Sequence, residues 1–199
     1  MKKILKKFLN NFGLEVRRKP KHGKVLNYDD IYKKKINIDN PIIFDVGTNK
    51  GQSIERFKKI FKNPKIFGFE PNPDEYNFTL NKFKNDNDII LKNIALGDKE
   101  TILPFNVTIN TGNSSFYDFN KETDWIKIRS KEFNTNPDNF ITKKIDVSCS
   151  TLDNFCLINK INHINILKID TQGYEDKVLD GATKIIDKKV VDFIEMEIM

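Results

Sequence analysis

An apolar run that ends in an acid, passes a short turn and opens a helix constrains this chain more than any other stretch. It reads Ile42-Ile43-Phe44-Asp45-Val46-Gly47-Thr48-Asn49-Lys50-Gly51-Gln52-Ser53. Such a run predicts a buried parallel strand with Asp45 at its carboxyl end, where open α/β sheets bind ligands. Gly47 and Gly51 permit positive φ or close backbone approach, and Asn49 tolerates the left-handed region. Twenty-five positions after Asp45, a second apolar run, Ile66-Phe67-Gly68-Phe69, ends in Glu70. The spacing Asp-x-Gly-x-Asn-x-Gly is not the dinucleotide fingerprint G-x-G-x-x-G. A diphosphate needs the free N–H groups of a helix N-terminus, whereas a ligand without phosphate needs shape and a carboxylate partner. Ionised Glu70 can accept from both hydroxyls of a ribose. A nucleoside without diphosphate, read beside acids, points to S-adenosylmethionine over NAD. An ordinary βα turn with a polar strand tip is the plain alternative.

The rest of the chain alternates. A helix is predicted over Gly51–Phe61, a strand over Lys65–Glu70, a helix over Pro73–Asn85 and a strand over Ile89–Ile94. Asp74 and Glu75 suit the first turn of that second helix. Strand-helix-strand order implies a doubly wound, mostly parallel α/β sheet with right-handed crossovers. Thr101–Val107 and Lys143–Ser148 read as two further strands. Between them runs a polar, turn-rich connection, Thr108–Asn139, long enough to be a functional lid or a small subelement. Leu152–Leu157 reads as a helix capped by Thr151, Ile164–Asp170 as a strand, Tyr174–Ile186 as a helix and Val190–Ile198 as the last strand.

Charge is unevenly spread. Residues 1–40 hold twelve basic and four acidic residues, a net of +8, whereas the remainder holds 22 against 24, a net of −2. A nucleic-acid enzyme carries its positive charge on its main face, so a nucleic-acid substrate is disfavoured. Residues 1–40 form a basic leader and 41–199 the cofactor-binding domain. In the leader, Ile4, Leu5, Phe8, Leu9 and Phe12 share a helical face; it caps the domain or lies peripherally on an anionic membrane surface. A short helix is expected around Tyr28–Lys35. Lys6-Lys7 and Asn10-Asn11 interrupt the apolar residues, which excludes a secretory signal, and no run approaches a membrane span. Cys149 and Cys156 lack metal-ligand spacing and fit a reduced, cytoplasmic pair.

A second acid-tipped strand, Ile164-Asn165-Ile166-Leu167-Lys168-Ile169-Asp170, precedes Thr171-Gln172-Gly173-Tyr174-Glu175. Alternation puts Ile166, Lys168 and Asp170 on one face. A lysine inside a central strand must be paired or must snorkel. Glu195 or Glu197 of the last strand is the expected partner if the two strands are neighbours. A structural pair that sets strand register and a catalytic role remain equally open for Lys168.

The chain from about Pro41 onward resembles the FkbM-type S-adenosylmethionine-dependent methyltransferases of the class I superfamily. Six blocks in order carry the resemblance: Phe44–Gly51, Phe69-Glu70-Pro71, Asn93-Ile94-Ala95-Leu96-Gly97-Asp98, Ser114-Ser115, Thr151–Phe155 and Leu167–Glu175. The resemblance implies a class I methyltransferase fold and methyl transfer, typically to oxygen on a sugar or another small biosynthetic molecule. It implies that Asp45, Gly47, Asn49 and Gly51 line the methionine part, with Thr48 in the same turn. Glu70 would take the ribose beside Pro71, and Asn93 to Ala95 would lie near the adenine. Class I sheets end in an antiparallel strand pair after the strand matching Val190–Ile198. Met199 stops short of that pair, so a fragment or a shortened variant is expected.

Methyl transfer to a hydroxyl benefits from alignment and from a base within reach. Asp170 is the expected base or acceptor-positioning group, with Lys168 tuning it. Gln172 and Glu175 are expected to orient the acceptor, and Ser114 and Ser115 to contact it unless they form a plain turn. No metal site is assigned. The rival readings are an NAD-linked oxidoreductase and a non-catalytic cofactor-binding module docked through the leader.

Overall fold

The computed structural model describes residues 27–197. The amphipathic leader helix expected over Met1–Arg18 lies outside them, as do Ile198 and Met199. The boundary between two compact units falls after Lys35. Before it, α1 (Tyr28–Lys35) has Asp29 and Asp30 in its first turn and three lysines in its last, each sign at the helix end that favours it.

The second unit is built on a five-stranded, all-parallel sheet. Its strands are β1 (Ile42–Val46), β2 (Lys65–Phe69), β3 (Ile89–Lys92), β7 (Ile164–Ile169) and β8 (Val191–Met196), in the order β3-β2-β1-β7-β8. The order reverses between β1 and β7, so the two acid-tipped strands lie side by side at the point where such sheets bind ligands. Helices α2 (Gln52–Ile60) and α3 (Pro73–Lys82) provide the first two crossovers. In α3, Pro73 occupies the first turn and the Asn72 side chain accepts from the Asp74 N–H, which fixes where the helix begins.

Period-two alternation sorts the central strands into two buried faces. Phe44, Phe67 and Phe69 meet Phe155 of α5 (Leu152–Ile158) on one face, with Phe69 edge-on to Phe155 at 4.8 Å between ring centres. Burying each such ring contributes about 1.5–3 kcal/mol. Ile43, Ile66 and Ile166 turn to the other face and are fully buried, as are Ile54 and Phe57 of α2. Asp45 and Lys168 alternate onto that same face.

Three strands after β3 leave this sheet. β4 (Ala95–Leu96) runs parallel to β6 (Ile141–Ser150), which pairs antiparallel with β5 (Thr101–Thr108) as a three-stranded sheet. The long connection between β5 and β6 is a subelement with its own aromatic cluster. It contains a 3-10 turn (Thr111–Asn113), helix α4 (Asp124–Glu132) and a second 3-10 turn (Pro137–Asn139). Trp125 stacks on Phe119, and both meet the buried Phe140 edge-on.

The single helix expected over Tyr174–Ile186 is two, α6 (Glu175–Asp180) and α7 (Thr183–Asp187). The break has a physical cause. Gly181 lies so close to the Gly97 carbonyl that an added Cβ would approach its oxygen to 1.9 Å. The Asp153 carboxylate, in the first turn of α5, accepts from the Lys184 and Ile185 N–H groups at 2.9 and 3.0 Å. It thereby caps α7 from α5. Among the described residues no helix is long and apolar enough to cross a membrane.

Candidate active site

The β1 turn is held through its backbone groups, which bond to one another, to the end of β2 and to the Glu70 and Thr79 side chains. Gly47 and Thr48 donate their N–H groups to the Phe69 carbonyl at 3.0 and 3.1 Å, and Gly51 donates to the Thr48 carbonyl at 2.9 Å. Asn49 adopts φ +47°, donates its N–H to Glu70 Oε2 at 2.7 Å and offers its carbonyl to the Thr79 hydroxyl. Gly47, at φ +85°, packs against β7 so closely that a Cβ would stand 1.9 Å from the Asp170 carbonyl oxygen. The N–H groups of Gly47, Thr48, Asn49 and Gly51 are thus spent inside the fold. They do not form a cradle for a diphosphate.

Glu70 lies at the tip of β2 and is buried. Oε2 accepts from the Asn49 N–H and Oε1 from the Asn72 N–H at 2.9 Å, so each oxygen retains accepting capacity. Burial pushes the Glu70 carboxyl up to about 7, against the opposing pull of those two backbone hydrogen bonds. Asn93 does not reach the cleft. Its amide donates to the Glu70 and Pro71 carbonyls at 2.8 and 3.1 Å and so holds the loop that carries Glu70.

Asp45, Lys168 and Asp170 form a linked set of charges. The Lys168 ammonium stands 3.4 Å from Asp45 Oδ1 and 3.4 Å from Asp170 Oδ2. Lys168 therefore pairs with these two acids rather than with Glu195 or Glu197. Glu195 is its register neighbour on β8 but receives a bidentate pair from Arg56 at 2.6 and 2.8 Å. The β1–β7 register sets Asp45 directly opposite Lys168, and that cross-strand placement cannot be read from either strand alone. Burial depresses the Lys168 pKa, but the adjacent Asp45 and Asp170 carboxylates outweigh it and the net shift is upward. Asp45 is fully buried, and neither of its oxygens has a hydrogen bond aligned on it. Burial raises its pKa, with Lys168 opposing. Asp45 lies beneath the cleft, not on its wall.

The β7 turn is organised by side chains. Glu175, expected to orient an acceptor, faces inward. Its carboxylate accepts from the Thr171 N–H at 2.8 Å, the Thr171 hydroxyl at 3.1 Å and the Gly173 N–H at 3.0 Å. This clamp spans Gln172 and Gly173, whose φ values are +56° and +104°. The Gln172 amide then donates to Asp170 Oδ1 at 2.8 Å. Ser115 likewise faces the turn, donating its hydroxyl to the Gln172 carbonyl at 2.8 Å. The 3-10 turn of the connection touches both strand tips, through Asn49 Nδ2 to Thr111 Oγ1 at 3.3 Å and Asn113 Nδ2 to Gln172 Oε1 at 3.5 Å.

Between the two turns lies a cleft enclosing about 160 Å³. Of the residues singled out from sequence, it gathers Gly47, Thr48, Asn49, Glu70, Pro71, Ala95, Ser114, Lys168, Asp170 and Gln172. Asp45, Gly51, Asn93, Ser115 and Glu175 stand behind the wall and support it. Gln52, Ser53, Thr111, Gly112 and Phe116 also line the cleft and were missed. Gln52 and Ser53 directly follow the β1 turn, so the motif itself pointed to them. Thr111, Gly112 and Phe116 carry no local signal beyond the polar, turn-rich character of their segment. Among the described residues no group of three or more His, Cys, Asp or Glu side chains is arranged to hold a metal ion.

A model of the methyltransferase FkbM domain matches residues 45–199. The 2-O-methyltransferase NoeI of Sinorhizobium fredii (strain NBRC 101917 / NGR234) is 23% identical over 159 residues, which cover 75% of this chain and 60% of that protein. The chain thus spans about 60% of the length of that curated relative. No solved structure matches it.

Proposed function

The chain belongs to the FkbM methyltransferase family, and on that premise we propose that its β1–β7 cleft binds S-adenosylmethionine and directs methylation of a hydroxyl on a sugar or other small biosynthetic molecule. The observation that carries the cofactor reading is the pairing of a turn whose Gly47, Thr48, Asn49 and Gly51 N–H groups are already bonded with a buried carboxylate that keeps accepting capacity on both oxygens. That combination suits a ribose without a diphosphate. Gly47 lets the β1 and β7 turns close against each other, since a side chain there would collide with the Asp170 carbonyl. Gly47, Thr48, Asn49, Glu70, Pro71 and Ala95 would hold the cofactor. The 2-O-methyltransferase relative supports oxygen as the atom methylated.

When bound, S-adenosylmethionine supplies a methyl carbon on a sulfonium, and the electrons of the broken carbon–sulfur bond return to sulfur. Asp170 receives the proton of the acceptor hydroxyl as the oxygen–carbon bond forms. Its carboxylate lines the cleft, with Gln172 on one oxygen and Lys168 near the other. Lys168 stays an ammonium and, with Gln172, fixes the direction in which Asp170 presents its remaining lone pairs.

Calorimetric titration of the full chain with S-adenosylhomocysteine and, separately, NADH tests the cofactor reading. Saturable S-adenosylhomocysteine binding without NADH binding is expected. NADH binding in its place would return the reading to a dinucleotide oxidoreductase.

A further inference from the structure

The side of the cleft contributed by the β5–β6 connection carries no charge. Thr111, Gly112, Ser114 and Phe116 form it, and Gln172 adjoins it from the β7 turn. The Ser114 hydroxyl accepts from the Thr108 N–H at 3.1 Å, and the Thr111 hydroxyl accepts from the Asn49 amide. Each of these hydroxyls keeps its own proton to donate. Gln172 holds Asp170 with one amide hydrogen and has a second. Among the described residues, the ionisable groups on the cleft wall are Glu70, Asp170 and Lys168. Lys168 is already shared between Asp45 and Asp170. An anion seated beside Asp170 would therefore face a carboxylate with no cation among the described lining residues left to pair with it.

Resting on the methyltransferase reading above, we infer that this wall is the acceptor subsite and that it takes an uncharged polyol, a sugar unit carrying neither phosphate nor carboxylate inside the cleft. Thr111, Ser114 and Gln172 meet its ring hydroxyls, Phe116 meets its C–H face, and the reacting hydroxyl lies against Asp170. In the transfer that hydroxyl exchanges its O–H bond for an O–CH3 bond. The proton passes to the Asp170 carboxylate, and the cofactor's sulfonium leaves as a neutral thioether. The Thr111–Phe116 stretch thus sets acceptor charge, while the β1 turn is indifferent to it.

The experiment offers the full chain S-adenosylmethionine with a deuterated methyl group, together with two sugar pools. One pool holds neutral hexosides and the other holds the corresponding sugar phosphates and uronates; mass spectrometry reads where the label goes. Label is expected in the neutral pool at a rate about 100-fold above the acidic one. In Gly112→Lys the ratio should narrow. A side chain there finds only Asn110 Oδ1 within 4 Å, at 3.6 Å, so the variant adds a cation to the wall at little steric cost. Equal or greater labelling of the acidic pool overturns the inference. An unchanged ratio in Gly112→Lys does the same, and so does absence of label from both pools while S-adenosylhomocysteine still binds. Failure to bind S-adenosylhomocysteine at all strikes instead at the methyl-donor reading beneath it.

Discussion

The turn after β1 is held largely by backbone carbonyls, with the Glu70 and Thr79 side chains on Asn49, whereas the turn after β7 is held mainly by one carboxylate. Both follow acid-tipped strands, and the strands are hydrogen-bonded neighbours. In the first, Gly47 and Thr48 are fastened to the Phe69 carbonyl, and the acid facing the cleft, Glu70, comes from the next strand. In the second, Glu175 gathers Thr171 and Gly173, and the acid facing the cleft is the strand's own Asp170. A backbone-built turn fixes shape and tolerates no added atom. A side-chain-built turn fixes the direction of one functional group and can be loosened by a single substitution. On the proposed reading, one turn holds the ligand and the other aims a group at it.

The sharpest way to break this contrast is Asp170→Asn. It should lower kcat by about 10²–10⁴-fold while leaving the S-adenosylhomocysteine Kd within a few-fold, because the base is lost and the β1 turn is not. Near-full turnover would remove Asp170 from the base role. Gly47→Ala attacks the other turn. Its Cβ collides with the Asp170 carbonyl at an unfavourable φ, and calorimetry should show S-adenosylhomocysteine affinity weakened by about 100-fold or more. An unaltered Kd would mean that the turn yields more easily than its hydrogen bonds suggest.

Lys168→Met tests the charge bridge that couples the turns. Denaturant unfolding at neutral pH should register a loss of about 3 kcal/mol, since Asp45 is left buried without its partner. Asp45 already has a raised pKa and, without the ammonium, takes up a proton more readily, so the loss should shrink as pH falls. A deficit independent of pH would rule out Asp45 as its source. Glu175→Gln should cost about tenfold in kcat with little change in cofactor affinity, because Gln172 and not the cofactor wall loses its support. Equal losses in both quantities would erase the division of labour.

The smallest effect is a pH dependence at Glu70. Its carboxyl titrates at about 7 in the fold and near 4.5 when unfolded, so it opposes folding increasingly as pH rises from about 4.5 to about 7. Glu70→Gln should flatten that slope in stability measurements. The ionised form is the better ribose acceptor, so S-adenosylhomocysteine should bind about tenfold more weakly at pH 6 than at pH 8. A flat binding profile would take Glu70 out of the ribose role.

How far the sequence reaches differs between the two turns. Gly47, Asn49 and Glu70 were legible because glycine spacing, a left-handed-tolerant Asn and an acid at a strand tip are local signals. The parallel sheet was legible from alternation of apolar strands and helices. Lys168 was recognisable as needing a partner, yet Asp45 emerged as that partner only through cross-strand register over a separation of 123 positions. Glu175 looked like a ligand-facing acid, but in a turn with two positive-φ residues an inward carboxylate satisfies N–H groups that would otherwise lack partners. The break between α6 and α7 was hidden for the same reason, since its cap, Asp153, sits on another helix.

By itself the sequence determined that strands, turns and helices alternate, that two strands end in acids, and that the first turn departs from the dinucleotide fingerprint. Those properties follow from periodicity and backbone permissiveness, which act over a few residues. Only the tertiary structure decided that β7 lies beside β1, that Lys168 is shared by Asp45 and Asp170, and that an uncharged wall from a distant connection closes the cleft. Register and loop docking depend on which surfaces meet, and residues far apart in the chain share no local pattern that announces the meeting.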